Sequence, residues 1–211
     1  AIVELALGAM LISSAQAGPV QGWLNWRGPD QNGASRETGL PDKVDPQHPL
    51  WRADFPGQST PVIANGKLFI MGYLGEDANL QEGVACFDAE TGQKLWQQLF
   101  NDFISDTIYL RYATASPAID PETGNVFIQG TQGILAGFTP DGKLLWKRSL
   151  MEEFGRLTFP NARTASPIIE GDLLIMVIAK SPQVSLIAFD KDSGRQVWES
   201  LDEIPSDSSP I

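Results

Sequence analysis

Apolar residues in this chain come in short runs closed by polar turns, and the runs return in a fixed order. Leu68-Phe-Ile-Met71, Val126-Phe-Ile128 and Leu173-Leu-Ile-Met-Val-Ile178 each precede a second run that ends in Phe, at Phe87, Phe138 and Phe189. Runs this short, bounded by Gly, Asn, Asp and Thr, predict β-strands rather than helices. After each Phe stands Asp or Thr, then a turn with Gly92, Gly142 or Gly194, then a Trp four residues beyond that Gly. A short polar side chain folds back on its own backbone while Gly takes φ > 0 at no steric cost, so each copy predicts a β-hairpin whose second strand carries Trp96, Trp146 or Trp198.

Upstream lies a second repeated element, Ser59-Thr-Pro61, Ala115-Ser-Pro117 and Ala165-Ser-Pro167, each followed by two apolar residues and a turn. Every unit therefore predicts four short strands, near 58–98, 113–148 and 163–200, with Pro61, Pro117 and Pro167 marking the period. Self-similarity every 40–50 residues or so in a four-strand unit is the signature of a β-propeller blade. The expected fold is all-β: a β-propeller of four-stranded antiparallel blades, eight in the full protein, here an open arc of about three. Leu50-Trp51 has no Ser-Pro element before it and is expected to be a ring-closing strand near 50–54; Ser208 to Ile211 is expected to open a fourth unit. The structural residues of the repeat are Asp88, Gly92, Trp96, Gly142, Trp146, Asp190, Gly194 and Trp198. A Trp that buries about 150–250 Å² at about 25 cal/mol/Å² gains about 4–6 kcal/mol before entropy. Regular recurrence favours inter-blade packing for these tryptophans over stacking on a sugar or cofactor.

Composition narrows the chemistry. The chain has 211 residues, net charge −11, one Cys and one His, which points away from nucleic acid and anionic membrane surfaces. Cys86 reads as a small buried hydrophobe, and one Cys with one His assembles neither a zinc site nor a thiol protease. Residues 1–17 are apolar and end Ala15-Gln-Ala17, the small-x-small pattern of a signal peptide, with a buried first strand as the other reading. The expected location is then periplasmic or secreted, with no transmembrane segment apart from the signal. Residues 18–49, rich in Gly, Pro and Asn, predict an ordered loop that lays Trp23 and Trp26 on the propeller wall.

The pattern Ala188-x-Asp190-x-x-Ser193-Gly194-x-x-x-Trp198 resembles the tryptophan-docking repeat of PQQ-binding-like β-propeller proteins, quinoprotein dehydrogenases and the outer-membrane assembly lipoprotein among them. Trp26-Arg-Gly-Pro29 and Met151-Glu-Glu-Phe-Gly-Arg-Leu-Thr-Phe-Pro-Asn161 resemble exported, planctomycete-type members. In the dehydrogenases the resemblance implies pyrroloquinoline quinone on a Trp floor beside calcium, a catalytic Asp and a vicinal Cys pair. No stretch here matches those contexts, so no catalytic residue and no metal ligand is carried over. No cofactor is expected, the alternative being pyrroloquinoline quinone with calcium.

Two acidic turns, Asp190-Lys-Asp192-Ser-Gly194 and Asp120-Pro-Glu122-Thr-Gly-Asn125, begin as calcium loops do but lack the distal Glu, and read as turns. The residues entering each innermost strand are expected to gather on one rim, where Arg111, Tyr112, Asn161 and Arg163 form a polar mouth for a carboxylate or sugar-like ligand. The other reading has these arginines satisfy loop carbonyls or pair with Glu152 and Glu153. The function expected is an exported, non-enzymatic binding or scaffold module of the cell envelope, with an envelope protein or surface polymer as partner. The alternative is a quinoprotein alcohol or polyol dehydrogenase whose catalytic blades lie beyond Ile211.

Overall fold

A computed structural model describes residues 19–101, 112–155, 164–180 and 183–203. The expected signal at 1–17 and the start of a fourth unit at 208–211 lie outside them. The described chain forms three antiparallel sheets. The first blade holds β2 (Val62–Ala64), β3 (Lys67–Leu74), β4 (Gln81–Asp88) and β5 (Lys94–Asn101). The second holds β6 (Ala118–Ile119), β7 (Val126–Gln129), β8 (Ile134–Phe138) and β9 (Leu144–Ser149), and the third β10 (Ile168–Glu170), β11 (Leu173–Lys180), β12 (Gln183–Asp190) and β13 (Gln196–Glu203). Within each blade the strands pair in chain order, and the first strands of successive blades, β2 with β6 and β6 with β10, lie against one another. The blades are therefore arranged around a common axial side, and the chain is a propeller arc.

Each sheet is apolar on both faces, as a layer stacked between two others must be. From the first blade Phe69, Met71, Val84 and Cys86 meet Val126, Ile128, Ala136 and Phe138 of the second. From the second, Phe127 and Leu135 meet Leu174, Met176, Ile187 and Phe189 of the third. Cys86 is fully buried, and burial pushes its thiol up to about 12. The first blade's other face, with Leu68, Ile70, Ala85 and Phe87, packs against Phe55 and Trp51 and, among the described residues, leaves a groove of about 430 Å³.

Three features add to the picture drawn from the sequence. The segment before residue 50 is more than a loop: β1 (Gly22–Trp23) adds a fifth strand to the first sheet on the outer side of β2. Gly22 permits this, because its φ is 140° and a Cβ there would stand 2.1 Å from the Ile63 carbonyl oxygen. Trp23 lies in that strand, and Trp26 carries the Arg27 guanidinium 5.7 Å above its ring. Second, residues 50–54 have no ladder partner among the described residues, and the closing strand expected there exists only where another strand pairs with it. Third, a short helix α1 (Leu150–Phe154) follows β9, with Ser149 Oγ accepting the Glu152 N–H at its N-cap. Ser149-x-x-Glu152 is the capping-box spacing.

Candidate functional site

The hairpin turns form one end of the blades. Gly92, Gly142 and Gly194 have φ of 71°, 82° and 69°. Over each lies the tryptophan of the preceding repeat: Trp51 over Gly92, Trp96 over Gly142 and Trp146 over Gly194, so that a Cβ would meet the rings at 2.5, 2.6 and 2.6 Å. Each indole N–H also donates to a carbonyl of that turn: Trp51 to Ala89 at 3.0 Å, Trp96 to Pro140 at 3.0 Å and Trp146 to Lys191 at 2.8 Å. Only Gly lets the ring close on the turn, and the turn returns an acceptor for the one polar atom that the ring buries. Trp198 is partly buried on β13.

The acidic turns hold themselves. Asp88 Oδ1 accepts from Thr91 N and Oγ1, both at 2.8 Å, and Asp190 Oδ1 from Ser193 N at 2.8 Å and Oγ at 2.5 Å. These bonds keep both carboxyls below the usual range, Thr91 N–H leading at Asp88 and the Ser193 hydroxyl at Asp190. Asp120 is buried at 0% exposure, takes the Thr123 hydroxyl at 2.6 Å, and pairs across the interface with the buried Lys191 ammonium at 3.2 Å. Glu122 lies 3.5 Å from the same nitrogen. Among the described residues no group of three His, Cys, Asp or Glu side chains is gathered as a metal requires.

The axial end is built by main chain and hydroxyls. Thr60 N–H donates to Ser116 Oγ at 3.0 Å, and Ser116 N–H to Ser166 Oγ at 2.9 Å. The residues before Pro61 and Pro117 are thus each hydrogen-bonded to their counterpart one blade on. The N-terminal segment lies across this end as a strap. Trp23 pairs with Ile63, Val20 N–H donates to Pro121 O at 3.0 Å, and Leu24 O accepts from Ile119 N–H at 2.9 Å. Val20 and Leu24 pack on the core between the first two blades.

Of the four rim residues expected from sequence, Arg111, Asn161 and Arg163 lie outside the described residues. Tyr112 is buried at 3% exposure, edge-on to Tyr73 with ring centroids 5.5 Å apart, so it packs between elements instead of facing an open mouth. Next to it Ala113, at φ 51°, donates its N–H to the Glu82 carboxylate. Glu82 is 1% exposed and also accepts from Thr131 N at 2.8 Å and Thr131 Oγ1 at 2.5 Å. Burial pushes its carboxyl up, against the pull of those hydrogen bonds. Of the two acids named as partners for the rim arginines, Glu153 is paired with Arg148.

Sequence reasoning missed Glu82, Lys191 and the residue two past each Trp. Gln98 Nε2 donates to Gly142 O at 3.0 Å and Arg148 Nη1 to Gly194 O at 2.5 Å, the same bond made by different side chains. Glu82 had a signal, a carboxylate beside the apolar run Val84-Ala-Cys-Phe87 of its strand; the other two had none, because side chains of different chemistry fill one role.

Apolar two-faced sheets, Trp-on-Gly contacts and a strapped axial end define a β-propeller of the PQQ-like repeat class. A family model described as outer membrane protein assembly factor BamB matches residues 45–211, and the chain belongs to this family. No curated protein sequence matches it. Among solved structures it is similar to a europium-containing methanol dehydrogenase, at TM-score 0.52 and 15% identity over 72% of this chain and 26% of that one. It also aligns with the quinohemoprotein alcohol dehydrogenase of Comamonas testosteroni (TM-score 0.48, 15% identity, 70% of this chain and 21% of that one). A further match is BamB from Moraxella catarrhalis (TM-score 0.41, 17% identity, 69% of this chain and 50% of that one). The chain therefore spans about a quarter of the length of the dehydrogenases it matches, and at such identities the likeness is one of fold.

Proposed function

We propose that the chain is part of an exported, non-enzymatic β-propeller that serves as a binding or scaffold module in the cell envelope. The observation that carries this reading is the family match over residues 45–211, to a family described as an outer membrane protein assembly factor. The disposition of polar groups supports it: Asp88, Glu82, Asp120, Asp190 and Lys191 are each engaged in a turn or between blades, which builds a rigid platform. Among the described residues no helix is long and apolar enough to cross a membrane. The test is a titration of the whole protein with pyrroloquinoline quinone and calcium, followed by melting temperature, because a ligand of the native state stabilises it by RT ln(1 + [L]/Kd). No shift at saturation is expected. A rise of several degrees that needs both ligands would replace this reading with a quinoprotein dehydrogenase.

A further inference from the structure

We propose that the axial edge of β10 receives an extended, apolar peptide strand of a partner protein, added to the sheet by backbone hydrogen bonds. Ile63, Ile119 and Ile169 stand at one register point in their blades, opposite Leu68, Val126 and Leu174. The strap pairs Trp23 with Ile63 and takes the Ile119 N–H on Leu24 O. Among the described residues nothing bonds the third of these positions on its axial side. A sheet edge left so presents a row of donors and acceptors to any extended chain.

Beside this edge is a groove of about 150 Å³ whose walls include Leu24, Pro29, Ile119, Pro121, Ile168 and Ile169. It has room for one aliphatic side chain, so backbone pairing supplies affinity and the groove supplies selectivity, as in strand addition elsewhere. The occupant follows from continuity with an interface already present. The strap pairs with β2 as a strand and meets the second blade through single backbone bonds, Ile119 N–H to Leu24 O and Val20 N–H to Pro121 O, and Leu24 and Pro29 of the strap line the groove, so an incoming strand extends the same hydrogen-bonded track onto the third blade. The exposed Glu170 at the end of β10 and the net charge of −11 favour a strand with basic flanks.

This inference rests on the binding-module reading and names the partner's chemistry. It is tested on the whole protein with a lysine-flanked heptapeptide of alternating valine and threonine, and with the same peptide N-methylated at alternate amides. Saturating peptide is expected to slow hydrogen exchange at Ile168–Glu170 by roughly tenfold or more, and the N-methylated peptide to leave it unchanged. Ile169→Pro, which removes the outward N–H, and Ile168→Glu, which makes the groove polar, should each weaken binding at least roughly tenfold. Equal binding of the N-methylated peptide, protection at another edge, or no binding at millimolar peptide would overturn the proposal. A melting shift with quinone and calcium would instead overturn the functional reading beneath it, so the two failures are separable.

Discussion

At the interface between the first and second blades Trp96 lies over Gly142 and donates to Pro140 O; between the second and third Trp146 lies over Gly194 and donates to Lys191 O. Around these matched contacts the polar groups differ. The first interface has the buried Glu82 clasping Ala113 and Thr131, the strap, and an ion pair from Lys67 to Asp141 at 2.8 Å whose acid is 86% exposed. The second has the buried pair Lys191–Asp120, Arg148 held by Glu153 and lying 4.9 Å above the Phe189 ring, and Gln129, buried with both amide atoms unpartnered. The repeated contact is apolar and needs only Trp, Gly and one carbonyl. The polar additions are local solutions, and each works at one interface alone.

If the tryptophan contact is the common element, truncating it should cost the same at both interfaces. Trp96→Ala and Trp146→Ala are each expected to lower unfolding free energy by about 3–5 kcal/mol, read from urea transitions of the whole protein. Values that differ by more than twofold would mean that the polar surroundings carry one interface and not the other.

The two ion pairs should separate sharply. Lys191→Met leaves Asp120 buried and charged without its cation, which should cost about 3 kcal/mol or more. Lys67→Met removes a pair open to solvent and should cost less than about 1 kcal/mol. Equal losses would show that burial does not distinguish these pairs, and the contrast drawn between the interfaces would fall.

Glu82 sharpens the comparison through pH. Glu82→Ala strands the Ala113 and Thr131 N–H groups and should cost about 1–3 kcal/mol. Because burial raises its carboxyl above the ordinary 4.5 in the folded protein, the protonated form favours the fold. That contribution is fully present below the ordinary value and is lost as pH rises through the folded one. Glu82→Gln is neutral throughout, so the melting difference should move in favour of the native protein as pH falls from neutral toward 4.5. A difference independent of pH would mean that Glu82 does not titrate where its burial requires.

What could be read before the structure was what local chemistry encodes. The hairpins were legible because Gly92, Gly142 and Gly194 sit where φ must be positive, and the period was legible because Trp and Ser/Thr-Pro recur with them. The strap was not, since a two-residue strand such as Gly22–Trp23 exists only through its partner, with Ala64 standing 42 positions from Gly22. Glu82 and Lys191 likewise reach partners 31 and 71 positions away, and no spacing rule links them. Tyr112 was assigned to an open rim by its place before Ser116-Pro117, whereas its packing against Tyr73 buries it.

The last expected effect has the opposite sign. Gln129 and Met71 occupy the same register point, opposite Leu135 and Val84, on the faces that each turns toward the next blade. Met71 is buried in an apolar cluster, while Gln129 is 2% exposed and its amide finds no partner. A buried polar group without a hydrogen bond costs free energy that an apolar group of similar length does not. Gln129→Met should therefore stabilise the protein by about 1 kcal/mol, visible as a higher urea midpoint at unchanged slope. It would make the second interface resemble the first at this register point, where the first is apolar. A loss of stability would show that the amide is used, and that the second interface depends on a polar contact at this depth.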